Sequence, residues 1–378
     1  MNKFRVISVL LALALLLTAL PVFADGEPIK IGLVDSYTGG HSAYGIASRD
    51  GYELAHELRP EVLGRPIELN TYDIKSDKAE TALAASRAIA DGNVALLGTA
   101  SSGFTIAMNE VAAEKGIPTV TNFSTNQLVT QGNDIAFRSC FIDPYQGEVM
   151  AKFAYENLGA RTAVLLVDIS TDYPVGIANY FRQTWEELAG PDSLLGYLSL
   201  MLGDKDYSAQ LSEIKRLNPD VVVVPDDYAE TGLILKQARE LGLPMPFLGG
   251  DAVDLPEFAE IAGPDALKEG FYMTAHYHKD AYDTEAAKAF GEAFKAKYDR
   301  EPDASAATAF DAYNMLIDAI ERAGSDDSEA IRQEMFNTVD FEGASGTINI
   351  NEEGDAEKSC VIQGFVNGEK EIIAIVEP

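Results

Sequence analysis

"KAETALAASRAIADGNVALLGTASSGFTIAMNEVAAEKGIPTVTNF", Lys78 to Phe123, changes its period three times. Ala, Leu and Ile recur at i, i+3, i+4 up to Asp91-Gly92, the pattern of an amphipathic helix with a glycine stop. "VALLG" follows as a short apolar run. "FTIAMNEVAAEKG" is helical again and ends in Lys115-Gly116, where glycine supplies the left-handed exit. "IPTV" is a second apolar run. Strand, helix, strand at this spacing is a βαβ unit, so the sheet is parallel and covered on both faces.

The same alternation extends in both directions. "IKIGLV", "IELNTY", "TAVLLVD", "GYLSLML", "DVVVVPD", "PFLGG" and "GFYMTAH" read as strands, with helical segments such as "VGIANYFRQTWEELAG" and "ETGLILKQARELG" among them. One run of units ends near "DIAFRSCFIDPYQGEVM". A second starts with the helix after Asp143-Pro144 and reaches about His276. Beyond it come helices without strands: "DTEAAKAFGEAFKAKYDREP", "ASAATAFDAYNMLIDAIERAG" and "SEAIRQEMF". These need a sheet to cover, and returning the chain to the first unit provides one. The tail is β-like, with a hairpin at Asn367-Gly368. The expectation is an α/β fold of two lobes around a hinged cleft. Lobe I takes residues 25–140 plus 277–345, and lobe II takes 141–276 plus 346–378.

Lys3 and Arg5, an apolar run and "VFA" before Asp25 form a secretory signal peptide cleaved after Ala24. No later segment approaches 18 continuous apolar residues. The chain holds 29 Lys and Arg against 60 Asp and Glu, and loss of residues 1–24 makes it more negative still. Such a surface repels nucleic acid and anionic membranes and favours cations or zwitterions. Cys140 and Cys360 are the two cysteines; export permits a disulfide between them, and two buried thiols are the equal alternative.

Ligands in open parallel sheets bind beyond the carboxyl ends of the strands. Thr99, Ser101 and Ser102 follow "VALLG"; Thr121, Asn122, Phe123, Ser124 and Thr125 follow "IPTV". Tyr173 comes after "VLLVDIS", Tyr228 after "VVVVPDD", Asp251 after "PFLGG", and Tyr37 and Tyr44 after the first strand. Hydroxyls, backbone N–H groups and a helix N-terminus suit a carboxylate. Asp251 suits an ammonium, and tyrosine rings suit the apolar remainder. Taken singly, a Ser or Thr after a strand is most often an N-cap and a Tyr often a rim contact; the set points to a small zwitterion. "GTASSG" is not the G-x-S-x-G elbow of a hydrolase. His276-x-His278 is a weak metal pattern and reads as two rim histidines. "TGGHSAYG" lacks both the dinucleotide fingerprint and the phosphate-loop lysine. No metal, cofactor or catalytic residue is expected.

The segments "IKIGLVDSYTGGHSAYG", "NTYDIKSDKAETALAASRAIADGNVALLGTASSG", "EKGIPTVTNFSTNQL", "AFRSCFIDPYQG", "DYPVG" and "DYAETGLILKQARELGLPMPFLGGD" resemble, in order, the branched-chain amino acid-binding proteins of bacterial ABC transporters. This type I periplasmic solute-binding family implies two Rossmann-like lobes joined by three crossing strands and closing on ligand. The resemblance implies a ligand carboxylate on Ser102 and Thr125, with Ser101 the alternative one residue away. Main-chain groups around Phe123 and Ser124 assist. Tyr173 and Tyr228 come from the second lobe, and Asp251 takes the ammonium where the best-known members carry glutamate. A first-lobe disulfide of some members falls on Ser76 and Ser101 here. The implied protein is a monomer without enzymatic activity that captures an apolar or aromatic α-amino acid in the periplasm and delivers it to a membrane permease. The alternatives are an amide, urea or other small polar ligand, or delivery to a sensor or chemoreceptor.

Overall fold

In the computed structural model, which describes residues 26–378 apart from 269 and 283, the opening stretch folds as its pattern requires. Asp77 accepts the Glu80 N–H at 2.9 Å and caps the helix Lys78–Ala90. That helix buries Thr81, Ala84, Ala85 and Ala88 and stops at Gly92, where φ is +86°. Ala95–Leu97 is a fully buried strand. Gly98 follows with φ +111°, and a Cβ there would meet the Val34 carbonyl oxygen at 2.1 Å, so only glycine fits this exit. The next helix, Ser102–Ala113, begins at once.

Among the described residues the first sheet has strands β1 (Ile29–Asp35), β2 (Glu61–Val62), β3 (Arg65–Asp73), β4 (Ala95–Leu97), β5 (Thr119–Thr121) and β6 (Ala136–Arg138), ordered β2-β3-β1-β4-β5-β6. All pair in parallel except the short β2. Its helices are α1 (Ser42–Leu58), α2 (Lys78–Ala90) and α3 (Ser102–Ala113). The second sheet holds β7 (Ala163–Asp168), β8 (Leu194–Leu200), β9 (Val221–Val224), β10 (Phe247–Gly249) and β11 (Phe271–Ala275), all parallel, with helices α4 (Asp143–Lys152), α5 (Asp172–Ala189), α6 (Ser208–Leu217), α7 (Tyr228–Glu240) and α8 (Pro256–Ala262).

The three late helices, α9 (Glu285–Tyr298), α10 (Ala304–Ala323) and α11 (Ser328–Met335), return to the first lobe. Ala309, Ala312, Tyr313, Leu316 and Ile320 of α10 join Ile29, Ile31, Leu33 and Leu97 in one core. A small sheet follows: β12 (Phe341–Gly343), β13 (Gly346–Ile350) and β14 (Ala356–Glu357). Ile348, Ile350 and Ala356 also belong to that first core. Residues 346–357 therefore lie with lobe I, not with lobe II as expected, because their apolar face is covered by first-lobe side chains. The hairpin β15 (Cys360–Val366) and β16 (Glu369–Val376) pairs antiparallel to β11 and completes the seven-stranded second sheet. Among the described residues the chain thus passes between the lobes near 139–142, 276–278 and 358–359. The signal-peptide segment 1–24 lies outside the described residues. No helix among them is long and apolar enough to cross a membrane.

Polar side chains are buried at these crossings. Arg138 is fully buried, paired with Asp355 at 2.7 Å, and donates to the carbonyls of Ser124 and Asn126. Asp311 of α10 accepts the N–H groups of Ala344 and Ser345 and the Ser345 hydroxyl. Lys358 Nζ donates to that same hydroxyl. Burial pushes the Lys358 amine down to about 8, against the pull of Asp311. Cys140 and Cys360 are free and buried, and burial pushes the Cys140 thiol up to about 12.

Candidate functional site

The ends of β4 and β5 in one lobe face the ends of β7, β9 and β10 in the other across a cleft of about 550 Å³. That is the size of a small-molecule site. Ser101, Ser102, Phe104, Phe123, His41 and Tyr44 line it from the first lobe; Tyr173, Asp227, Tyr228, Asp251 and Ala252 line it from the second.

The first-lobe wall is built by the turn from β4 into α3. Ser101 is the helix N-cap residue, and its side chain makes no capping bond. Ser102 is buried, its hydroxyl accepting the Asn126 N–H at 3.3 Å. Behind them, Asp35 takes the Ala100 N–H and holds the segment in place. Burial raises the Asp35 carboxyl to about 6. The hydroxyl pair thus stands beside the first, unpaired N–H groups of α3, an arrangement that favours an anion.

Ser124 and Thr125 are placed differently from Ser102, for neither lines the cleft. The Ser124 hydroxyl turns inward to the Thr99 carbonyl and Thr105, and its own carbonyl is taken by Arg138. The Ser124 N–H meets Thr121 Oγ1 at 3.2 Å, so its hydroxyl, carbonyl and N–H all have partners within the first lobe. Thr125 is buried, and among the described residues its hydroxyl has no aligned partner. Asp143, at the start of α4, donates its N–H to the Thr125 carbonyl. Its carboxyl is fully buried and pushed up to about 8 by that burial, with Thr125 pulling the other way. Phe123 keeps its place in the wall, with its ring edge-on to His276 at 5.1 Å.

The second-lobe wall centres on Asp251, just after β10 and fully buried. Oδ1 accepts from Gln146 Nε2 at 2.8 Å and from the Tyr173 hydroxyl at 2.9 Å; Oδ2 meets His276 Nε2 at 3.0 Å. Tyr44 reaches across the cleft and donates to the Ala252 carbonyl at 2.7 Å. The same hydroxyl accepts the Tyr228 N–H, and the two rings pack edge to face at 5.3 Å. Asn126 donates to the Asp172 carbonyl, and Lys78 pairs with Asp172 at 2.8 Å, so the two lobes are closed on each other. The Lys78 pair is exposed and adds little stability.

Four participants were not anticipated: His41, Gln146, Asp227 and His276. His276 is fully buried and not a rim residue. It stands directly after β11, so the strand-end rule that selects Asp251 selects it too. Gln146 lies inside α4 and carries no local signal. His41 shares the cleft with both serines but hydrogen-bonds neither; its ring packs edge-on against Phe104. Among the described residues no cluster of His, Cys, Asp and Glu is arranged to hold a metal.

A profile of the family described as periplasmic binding protein matches residues 28–368. The chain is 30% identical over 332 residues to a Leu/Ile/Val-binding protein homolog of Brucella melitensis, covering 86% of this chain and 88% of that one. It is also 30% identical to the leucine-, isoleucine-, valine-, threonine- and alanine-binding protein of Pseudomonas aeruginosa, with 87% of each covered. Among solved structures, a leucine binding protein, LivK, of Thermotoga maritima aligns at TM-score 0.89 and 44% identity over 93% of this chain and 99% of that one. The branched-chain amino acid transporter substrate binding protein LivJ of Streptococcus pneumoniae, in complex with isoleucine, aligns at 0.86 and 30%, with 93% and 100% covered. The resemblance seen in the sequence motifs is borne out over nearly the whole described chain, and the chain belongs to the periplasmic binding protein family.

Proposed function

We propose that the chain is the solute-capturing component of an ABC transporter and that it takes an α-amino acid with an apolar side chain, a branched-chain one foremost. The observation that carries this reading is the polarity of the cleft. Hydroxyls and a helix N-terminus stand on one lobe, a fully buried acid stands on the other, and tyrosine and phenylalanine rings lie in the same cleft. A zwitterion meets both ends only when the lobes are together. Ligand therefore stabilises the closed form by its differential affinity for it. The isoleucine in the streptococcal structure and the amino acids named for the Pseudomonas relative support an apolar side chain. In this reading the chain acts in the periplasm as a monomer after cleavage behind Ala24, performs no catalysis, and hands its ligand to a permease.

A thermal-shift screen with amino acids, amides, polyamines and small acids tests it. An α-amino acid raises the melting temperature with the logarithm of its concentration, and N-acetylation abolishes the shift. Stabilisation by amides or polyamines in place of amino acids overturns the reading. Ser102→Ala is expected to weaken amino acid binding by roughly 1.5–3 kcal/mol, about ten- to a hundredfold, the range for a hydrogen bond to a charged group. Calorimetric titration reads this directly, and an unchanged affinity moves the carboxylate contact to Ser101.

A further inference from the structure

A carboxylate accepts along about four lone-pair directions. Three of those on Asp251 are occupied, two on Oδ1 by Gln146 and Tyr173 and one on Oδ2 by His276. Gln146 is itself held, its amide oxygen accepting the Asp251 N–H and the Thr274 hydroxyl. Asp251 is also a methylene shorter than the glutamate that the resemblance places here, so the direction of its remaining lone pair depends on what holds its two oxygens.

Among the described residues His276 alone holds Oδ2. The ring lies against Phe141, with centroids 3.7 Å apart, and edge-on to Phe123. Among the described residues its Nδ1 has no hydrogen-bond partner. Nε2 faces an oxygen that only accepts, so Nε2 carries the hydrogen. Burial holds the imidazole below its ordinary pKa, and Asp251 and Asp254 oppose that while Lys358 adds to it. The ring is therefore a neutral N–H donor to Asp251 near pH 7.

We propose that His276 is a positioning residue for recognition of the ligand amino group: its Nε2–H fixes Oδ2 of Asp251 so that the free lone pair faces the cleft. Without it, Gln146 and Tyr173 anchor only Oδ1, and Oδ2 swings about the soft terminal torsion of the side chain. The inference rests on the α-amino acid reading of the cleft.

The test compares His276→Gln with His276→Asn by titration with L-leucine and with its 2-hydroxy analogue, which keeps the carboxylate and side chain but lacks the ammonium. The Gln amide nitrogen stands where Nε2 stands; the Asn amide nitrogen stands nearer Nδ1 and falls short of Oδ2. His276→Asn is expected to weaken leucine binding about tenfold or more, and His276→Gln by less than about threefold. The hydroxy acid is expected to lose less than about threefold in either variant, since no charge-assisted contact is at stake. Equal leucine affinities for the two variants, or equal losses for leucine and the hydroxy acid, overturn the proposal. The unliganded melting temperatures of both variants show that each is folded. Failure of the wild-type protein to bind any α-amino acid is a separate result, which removes the reading of the cleft itself.

Discussion

Asp251→Ala is expected to weaken binding of an apolar α-amino acid by roughly 2–5 kcal/mol, about thirtyfold to several thousandfold, because the ligand ammonium is left buried and unpaired. Asp251 is fully buried, and the donors around it, Gln146 Nε2, Tyr173 OH and His276 Nε2, all point at the carboxylate being removed. In the alanine variant these donors face each other and the incoming ammonium with no acceptor between them. Burial keeps the Tyr173 hydroxyl protonated, its pKa raised well above the ordinary phenol, so it does not take over as an anion. Most of the loss is expected in the dissociation rate, as is usual when one partner of a buried charge pair is truncated. Calorimetry at neutral pH measures the affinity, and a wild-type value for the alanine variant removes Asp251 from ammonium recognition.

Asp311→Ala is expected to lower folding stability by about 3–5 kcal/mol, the cost of removing one member of a buried charge pair. Asp311 and Lys358 are both buried and are joined through the Ser345 hydroxyl. The carboxylate also satisfies the N–H groups of Ala344 and Ser345. Without it Lys358 is a buried cation that has lost its carboxylate, and its pKa falls further below about 8. The sign of the pH dependence follows. A lysine whose folded pKa lies below its unfolded value destabilises the native state most at low pH. That cost falls as pH rises and the native amine gives up its proton. The deficit of Asp311→Ala is therefore larger at pH 6 than at pH 9. Denaturant unfolding at the two pH values checks this. Adding Lys358→Met to the alanine variant is expected to recover part of the loss, since the orphaned charge goes with it. A deficit below about 1 kcal/mol, or one that grows with pH, contradicts the argument.

The strands and helices of both lobes were legible because their signals are local. Asp77 before a helical run, Gly92 and Gly116 behind helices, and four successive valines in β9 need no distant partner to be read. The positions of Ser101, Ser102, Tyr173, Tyr228 and Asp251 were legible for a related reason. The carboxyl ends of parallel strands share one edge of a sheet, so the residue after each strand is placed by the strand alone. The allocation of residues 346–357 was not legible, because a short β segment with one apolar face fits either lobe until the neighbouring side chains are known.

What the sequence by itself determined is the α/β architecture, the family resemblance and the set of residues at the strand ends. Which of them turns toward the cleft was decided by tertiary structure. Ser124 follows a strand as Ser102 does, yet Arg138, 14 residues on, and Thr99, 25 residues back, draw it inward. Asp251 is oriented by Gln146 from 105 residues away, and Tyr44 is fastened to Ala252 across a separation of 208. The physical reason is the range of the interactions. Propensity, capping and period act within a few residues, whereas a buried donor finds its acceptor only after sheet register and lobe closure have brought distant segments together.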